Sequence, residues 1–189
     1  MNRIYFVFFL YSFSVFSQYK IEKEYRVDAR LVPQKAVDFI KTFKFDTKVK
    51  WYVEESQIGK TYEAKTCFHK QKLSIEFNTL GILIDAEKTI NFSRLPASIK
   101  MLICQELSSR FMKFQIKKTQ LQYVGSTMLV SRALHTSHLG IHSSPVNYEL
   151  IVKGKTAGTY FKYEMLFDTA GSLIRTLKFS PENTDNLEF

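Results

Sequence analysis

Phe77-Asn78-Thr79-Leu80-Gly81-Ile82-Leu83-Ile84 is written a second time as Phe167-Asp168-Thr169-Ala170-Gly171-Ser172-Leu173-Ile174. In each copy an apolar strand ends in Phe, and Asn78 or Asp168 opens a type I turn by bonding its side chain to the turn backbone. Gly81 or Gly171 takes the left-handed position, and Leu-Ile starts the return strand. The stretch therefore predicts two hairpins of the same design. It carries turn chemistry, with no catalytic group in it.

Outward from the first turn, residues 72–78 and 61–68 read as strands, and residues 48–55 alternate with Val49, Trp51 and Val53 on one face. Before them Leu31-Val32-Pro33 opens a helix, with Ala36, Val37, Ile40 and Phe43 on one stripe. The order then begins again. Leu95-Pro96 opens a second helix carrying Ile99, Leu102, Ile103, Leu107 and Phe111, followed by strands near 114–124, 147–153, 159–167 and 173–179. The plan is α+β, with a first helix-plus-strand repeat over residues 18–93 and a second over residues 94–180. The second is longer between Pro96 and Gly171 than the first is between Pro33 and Gly81. Its insertion, residues 125–146, is rich in Ser, Thr and His and reads as a long surface loop. Residues 181–189 form a polar, acidic tail.

At the other end, residues 1–17 combine Arg3 with the apolar run from Ile4 to Phe16, which is short for a membrane span and ends at a permissible cleavage triplet. The expectation is a signal peptide and a mature protein, periplasmic or secreted, starting near Gln18, with no membrane insertion after cleavage. The 189 residues are 45% hydrophobic and 15% aromatic, ample for a packed core. The net charge of +9 falls to +8 when Arg3 leaves, and its lysines are scattered singly except for pairs such as Lys117-Lys118, which argues for solvated sheet faces and against nucleic-acid binding. Cys67 lies on a strand whose other face carries Tyr62, Ala64 and Phe68, and Cys104 on a helix flank. Export permits a bond between them, and the sequence leaves it open.

The duplicated turn, the Leu-Val-Pro and Leu-Pro helix starts, Trp51 after the first helix, and the Tyr62-Glu63 and Tyr148-Glu149 strand starts together resemble the PepSY-like, β-lactamase-inhibitor-protein-like family of exported bacterial proteins. The resemblance covers roughly residues 19–179. It implies two tandem helix-plus-four-strand units forming one curved antiparallel sheet with helices on one face. It also implies action by binding other proteins, as inhibitors or propeptide-like modules do.

Catalytic signatures are scarce in the chain. Gly59-Lys60-Thr61 and Gly154-Lys155-Thr156 look like the end of a phosphate-binding loop, but Glu54 and Glu149 stand where its first Gly is required, and both triplets read as loop residues flanking strands. No Gly-x-Ser-x-Gly, His-Glu-x-x-His or Cys-x-x-Cys occurs. His135, His138 and His142 would align as metal ligands if their segment were helical, with no carboxylate or thiol beside them as a fourth ligand. Strand alternation points Tyr52, Tyr160 and Tyr123 away from the face shared by Trp51, Tyr148, Phe161 and Phe167, so these tyrosines are the candidate partner-binding residues. The reading is a non-enzymatic protein-binding module, without a cofactor, that engages a protein partner outside the cytoplasm. The alternative is a periplasmic small-ligand carrier with an aromatic-lined pocket under the sheet.

Overall fold

The computed structural model describes residues 19–135 and 146–180. The expected signal segment, the tail, and His138 and His142 lie outside them. Ten strands form one sheet: β1 (Tyr19–Lys20), β2 (Glu22–Val27), β3 (Lys50–Ser56), β4 (Gly59–Phe68), β5 (Gln71–Asn78), β6 (Leu83–Ile90), β7 (Lys113–Val124), β8 (Val146–Thr156), β9 (Thr159–Phe167) and β10 (Leu173–Phe179). Across the sheet the order is β1-β10-β9-β8-β7-β6-β5-β4-β3-β2. Every neighbour is antiparallel except β1 on β10.

That order has one physical consequence. β1 and β2 are separated by Ile21 alone, yet they occupy opposite edges, so the segment from Tyr19 to Val27 bridges first strand to last and draws the sheet into a nearly closed curl. Polar and charged, the segment reads as a short lead-in or an edge strand, and it supplies both edges: Lys20 pairs with Phe179, the Ser180 amide donates to the Lys20 carbonyl at 3.2 Å, and Glu22 pairs with Ser56.

Helices α1 (Gln34–Lys41), α2 (Ala97–Arg110) and α3 (Thr127–His135) cover one face of the sheet. They share one core with the strands: Ala36 and Ile40, Ile99, Ile103 and Leu107, and Val130, Ala133 and Leu134 pack with Trp51, Ile75, Leu121, Leu150 and Met165. No described helix is long and apolar enough to cross a membrane. Two 3-10 turns, Ala29–Leu31 and Phe92–Arg94, precede α1 and α2, capped by Asp28 and Asn91, which accept from the Arg30 and Ser93 amides at 2.9 and 3.0 Å.

Both hairpin turns rest on the helices. Asn78 Oδ1 accepts from the Leu80 and Ile82 amides at 2.9 Å each, and Asp168 Oδ1 from Ala170 and Ser172 at 2.9 and 2.8 Å. Gly81 and Gly171 have φ of 71° and 84°, a region that costs any residue with a Cβ.

Three local expectations change. Residues 127–135 of the expected loop insertion are helix, because Val130, Ala133 and Leu134 lie one turn apart and all are buried. The Gly59 and Gly154 triplets belong to strands β4 and β8, and Phe111 covers Gly154 so closely that a Cβ there would lie 2.5 Å from its ring. Tyr123 faces the helices, since a bulge between Ile116 and Lys118 shifts the alternation of β7 by one residue.

Candidate functional site: the charged interior of the curl

On the face turned away from the helices, the curl encloses a cavity of about 600 Å³. Among the described residues, nine carboxylates and six basic side chains line it. This inverts the balance of a chain with 27 Lys and Arg against 18 Asp and Glu. Backbone register explains the concentration. Glu63 on β4 stands directly opposite Glu76 on β5, which stands opposite Asp85 on β6, and Glu24 on β2 stands opposite Glu54 on β3. Like charges directly across a ladder destabilise a sheet, so a row of them marks a place where something other than folding is served.

Some of these groups are paired. Lys65 donates to Glu24 at 2.7 Å and meets Glu63 at 3.1 Å, and Ser74 also donates to Glu63. Glu164, 3% exposed, accepts from Lys20 and, at 3.0 Å, from Arg175, while Lys20 also meets Glu22 at 2.9 Å. Gln120 and Gln122 donate to Glu87 and Asp85 at 2.6 and 2.8 Å. Glu54 and Glu149 are different. Among the described residues no hydrogen bond or ion pair reaches either carboxylate.

Electrostatics follow from that arrangement. Burial, with Glu22 close by and Lys20 opposing, pushes Glu54 up to about 9. Burial and Asp85 push Glu87 up to about 8, against Lys118. Glu76 is raised by burial and by Glu63, Asp85 well raised by burial with Glu76 and Glu149, and Glu149 well raised by burial with Glu87 and Glu164. Lys20 and Lys65 stay protonated above the usual lysine range, since the charges of Glu164 and Glu22 around Lys20, and of Glu63 and Glu24 around Lys65, outweigh the burial that opposes them.

A stability profile follows. Carboxyls raised in the folded state hold protons that the unfolded chain has released, so their contribution is complete below about pH 4.3 and disappears as pH rises through the folded values. Glu87 and Glu54 place that decline up to about 8 and about 9. The raised lysines act in the same direction at still higher pH. Stability at pH 8.5 should therefore fall below that at pH 5.5 by roughly 2 kcal/mol, visible as a melting temperature lower by several degrees in calorimetry. A rise over that window would contradict a buried acidic interior.

The tyrosines singled out from the sequence do not come together. Tyr52 lies on the cavity side of the sheet but is 7% exposed, under the Lys65 ammonium at 4.9 Å. Tyr160 is 46% exposed at the start of β9, flanked by Lys153 and Lys155 at 5.2 and 5.7 Å from its ring. Tyr123 is in the core. His135 ends α3, where Nδ1 donates to the Ser131 carbonyl at 2.8 Å and the ring stacks on Phe43, 5.0 Å between centroids. Among the described residues no three His, Cys, Asp or Glu side chains are placed to hold a metal ion. Cys67 and Cys104 are free thiols. The pocket expected under the sheet and lined by aromatics is instead on the far side and lined by charge, with Phe179 the one aromatic in its lining among the described residues.

No protein-family model matches the chain, and no curated protein matches it. Solved structures do. The chain superposes with a TM-score of 0.50 on a BLIP-like protein from Bacteroides fragilis NCTC 9343, 16% identical, over 84% of this chain and 92% of that one. A DUF2874 family protein from Bacteroides ovatus ATCC 8483 gives 0.51 at 13% identity, over 78% and 87%. A Bacteroides eggerthii DSM 20697 protein predicted to be periplasmic gives 0.50 at 11% identity, over 78% and 88%. The class is thus a BLIP-like fold: a mostly sheet α+β protein with a nearly closed, curved sheet and helices on one face.

Proposed function

We propose that this is an exported, non-catalytic module that holds a small polar solute inside the curl of its sheet. The observation that carries the reading is the near-closure by β1: the concave face becomes a cavity of about 600 Å³, open in part to solvent, within the size range of small-molecule sites and narrow for a folded protein surface. The charged lining replaces the aromatic one expected of a carrier. Export rests on the apolar residues 1–17 and on the likeness to a protein predicted to be periplasmic. The matching order of 3-10 turn, helix and four strands in each half supports descent of the two halves from one unit, with the PepSY-like kinship that the motifs suggest.

Native mass spectrometry of protein isolated from the exported fraction tests the reading. A bound mass of a few hundred daltons is expected on the wild type and absent from Ile151→Trp, which fills the cavity from the β8 wall. Wild-type protein that carries no solute, and gains no thermal stability from any member of a polar metabolite panel, would overturn it.

A second reading is favoured by one feature. Tyr160, exposed between Lys153 and Lys155, with the BLIP-like fold, supports docking of an acidic protein surface on the rim of β8 and β9. Tyr160→Ala should then weaken capture of that partner by ~1–2 kcal/mol and leave solute retention untouched. Tyr52 and Tyr123, both buried, take no part in it.

A further inference from the structure

Glu149 is 8% exposed, lines the cavity from β8, and among the described residues has no hydrogen-bond donor or ion-pair partner. Its oxygens open onto the cavity, so any partner for its charged form comes from there, since the chain itself supplies none. Glu54, half-buried on the opposite wall at β3, likewise has no hydrogen bond or ion pair among the described residues. Between them run Glu63 on β4, Glu76 on β5, and Asp85 and Glu87 on β6. Of the basic groups in the lining, Lys20, Lys65 and Arg175 are already engaged with Glu22, Glu24, Glu63 and Glu164. Lys118 approaches Glu87 and Glu149 as a charge without bonding to either.

The geometry points to this cavity as a site for a small organic polycation, a linear di- or polyamine, whose ammonium groups meet Glu149 and Glu54 at its two ends. The assignment rests on the reading of the cavity as the binding site. A bare metal ion does not fit the arrangement. The carboxylates are spread from β2 to β9, with neighbouring strands about 4.8 Å apart, and among the described residues no three of them converge on a metal position. A polyamine matches spread charge. Its methylenes also have a place to lie, since Ile84, Val124, Ile151 and Leu166 are interleaved with the carboxylates in the lining. Binding is coupled to protons, because burial raises Glu54 and Glu87 to about 9 and about 8, and ammonium groups beside them favour the charged form and drive protons off.

Isothermal titration of the mature protein with spermidine at pH 7.5, run in HEPES and again in Tris, tests the assignment. Saturable binding is expected, with a heat that differs between the buffers because protons leave. Binding should weaken at least tenfold in the double variant Glu149→Gln, Glu54→Gln, and stay unchanged in Glu106→Gln on the exposed flank of α2. Circular dichroism checks that the near-isosteric double variant is folded, and the buffer dependence of the wild type needs no variant at all. Absent spermidine binding, or binding that the double variant leaves within twofold, overturns the assignment. If a solute still accompanies the exported protein and is lost in Ile151→Trp, the cavity reading stands and the cation assignment alone falls. If that is absent too, both fall.

Discussion

Gly81→Val should lower the melting temperature by roughly 10 °C, from a loss of about 3 kcal/mol that combines the left-handed backbone penalty of a β-branched residue with overpacking. At φ 71°, a Cβ at position 81 would lie 3.0 Å from the Ala36 amide nitrogen, the Lys35 Cβ and the Pro33 Cβ. Two of those atoms are fixed by the start of α1, so the turn cannot move without lifting the helix from the sheet. Gly171 is less constrained. At φ 84° its nearest neighbours are side-chain carbons of Leu102 and Ile99, at 3.3 to 3.6 Å, which can give way. Gly171→Val should cost about 2 kcal/mol, nearly all backbone strain, and the exposed Thr79→Ala within about 0.5 kcal/mol. Chemical denaturation of the three variants gives the order directly. Equal tolerance at 81 and 79 would mean that the turn does not press on the helix.

The same turn shows what sequence makes visible. Its chemistry is local, since Asn78, Gly81 and the flanking apolar alternation all lie within a few residues, and local rules read such stretches well. The helix stripes of Ala36 and Ile40, and of Ile99, Ile103 and Leu107, were legible for the same reason. Tyr123 shows where this fails. Alternation counted from Phe114 and Ile116 sends Tyr123 to the far face, but Lys117 sits in a bulge and the count slips by one. Nothing in Lys117-Lys118 announces a bulge.

The cavity was hidden at a deeper level. Glu63, Glu76, Asp85, Glu87, Glu149 and Glu164 all alternate with core residues, and that pattern was present in the sequence. An antiparallel sheet with one covered face normally wets the other, so acids there read as solvent-facing. What buries them is the pairing of β1 with β10, a contact between residues some 160 apart in the chain that no local pattern encodes.

That seam is the place where the fold should break first. β1 meets β10 over two residue pairs, and the ion cluster of Lys20, Glu164 and Arg175 lies just inside it. Glu164 joins both strands to the β9 wall, and at 3% exposure it is shielded from water. Glu164→Ala removes the acceptor that Lys20 and Arg175 share, a loss of the kind that costs about 3–4 kcal/mol when one member of a largely buried ion cluster is deleted. Glu164→Gln keeps an oxygen acceptor for Arg175 and should cost about half of that. Glu106→Ala, which breaks the exposed pair with Arg110 on α2, should cost no more than about 0.5 kcal/mol. The discriminating measurement is hydrogen exchange at the Ser180 amide, which bonds to the Lys20 carbonyl, and at the amides of β1. In Glu164→Ala these should exchange well before those of β5 and β8, because the curl opens at its closing strand while the helix-packed wall holds. Uniform loss of protection across all strands would show instead that the seam and the core unfold as one unit. The cavity would then have no entrance at β1, and a solute would have to enter through an open end of the curl.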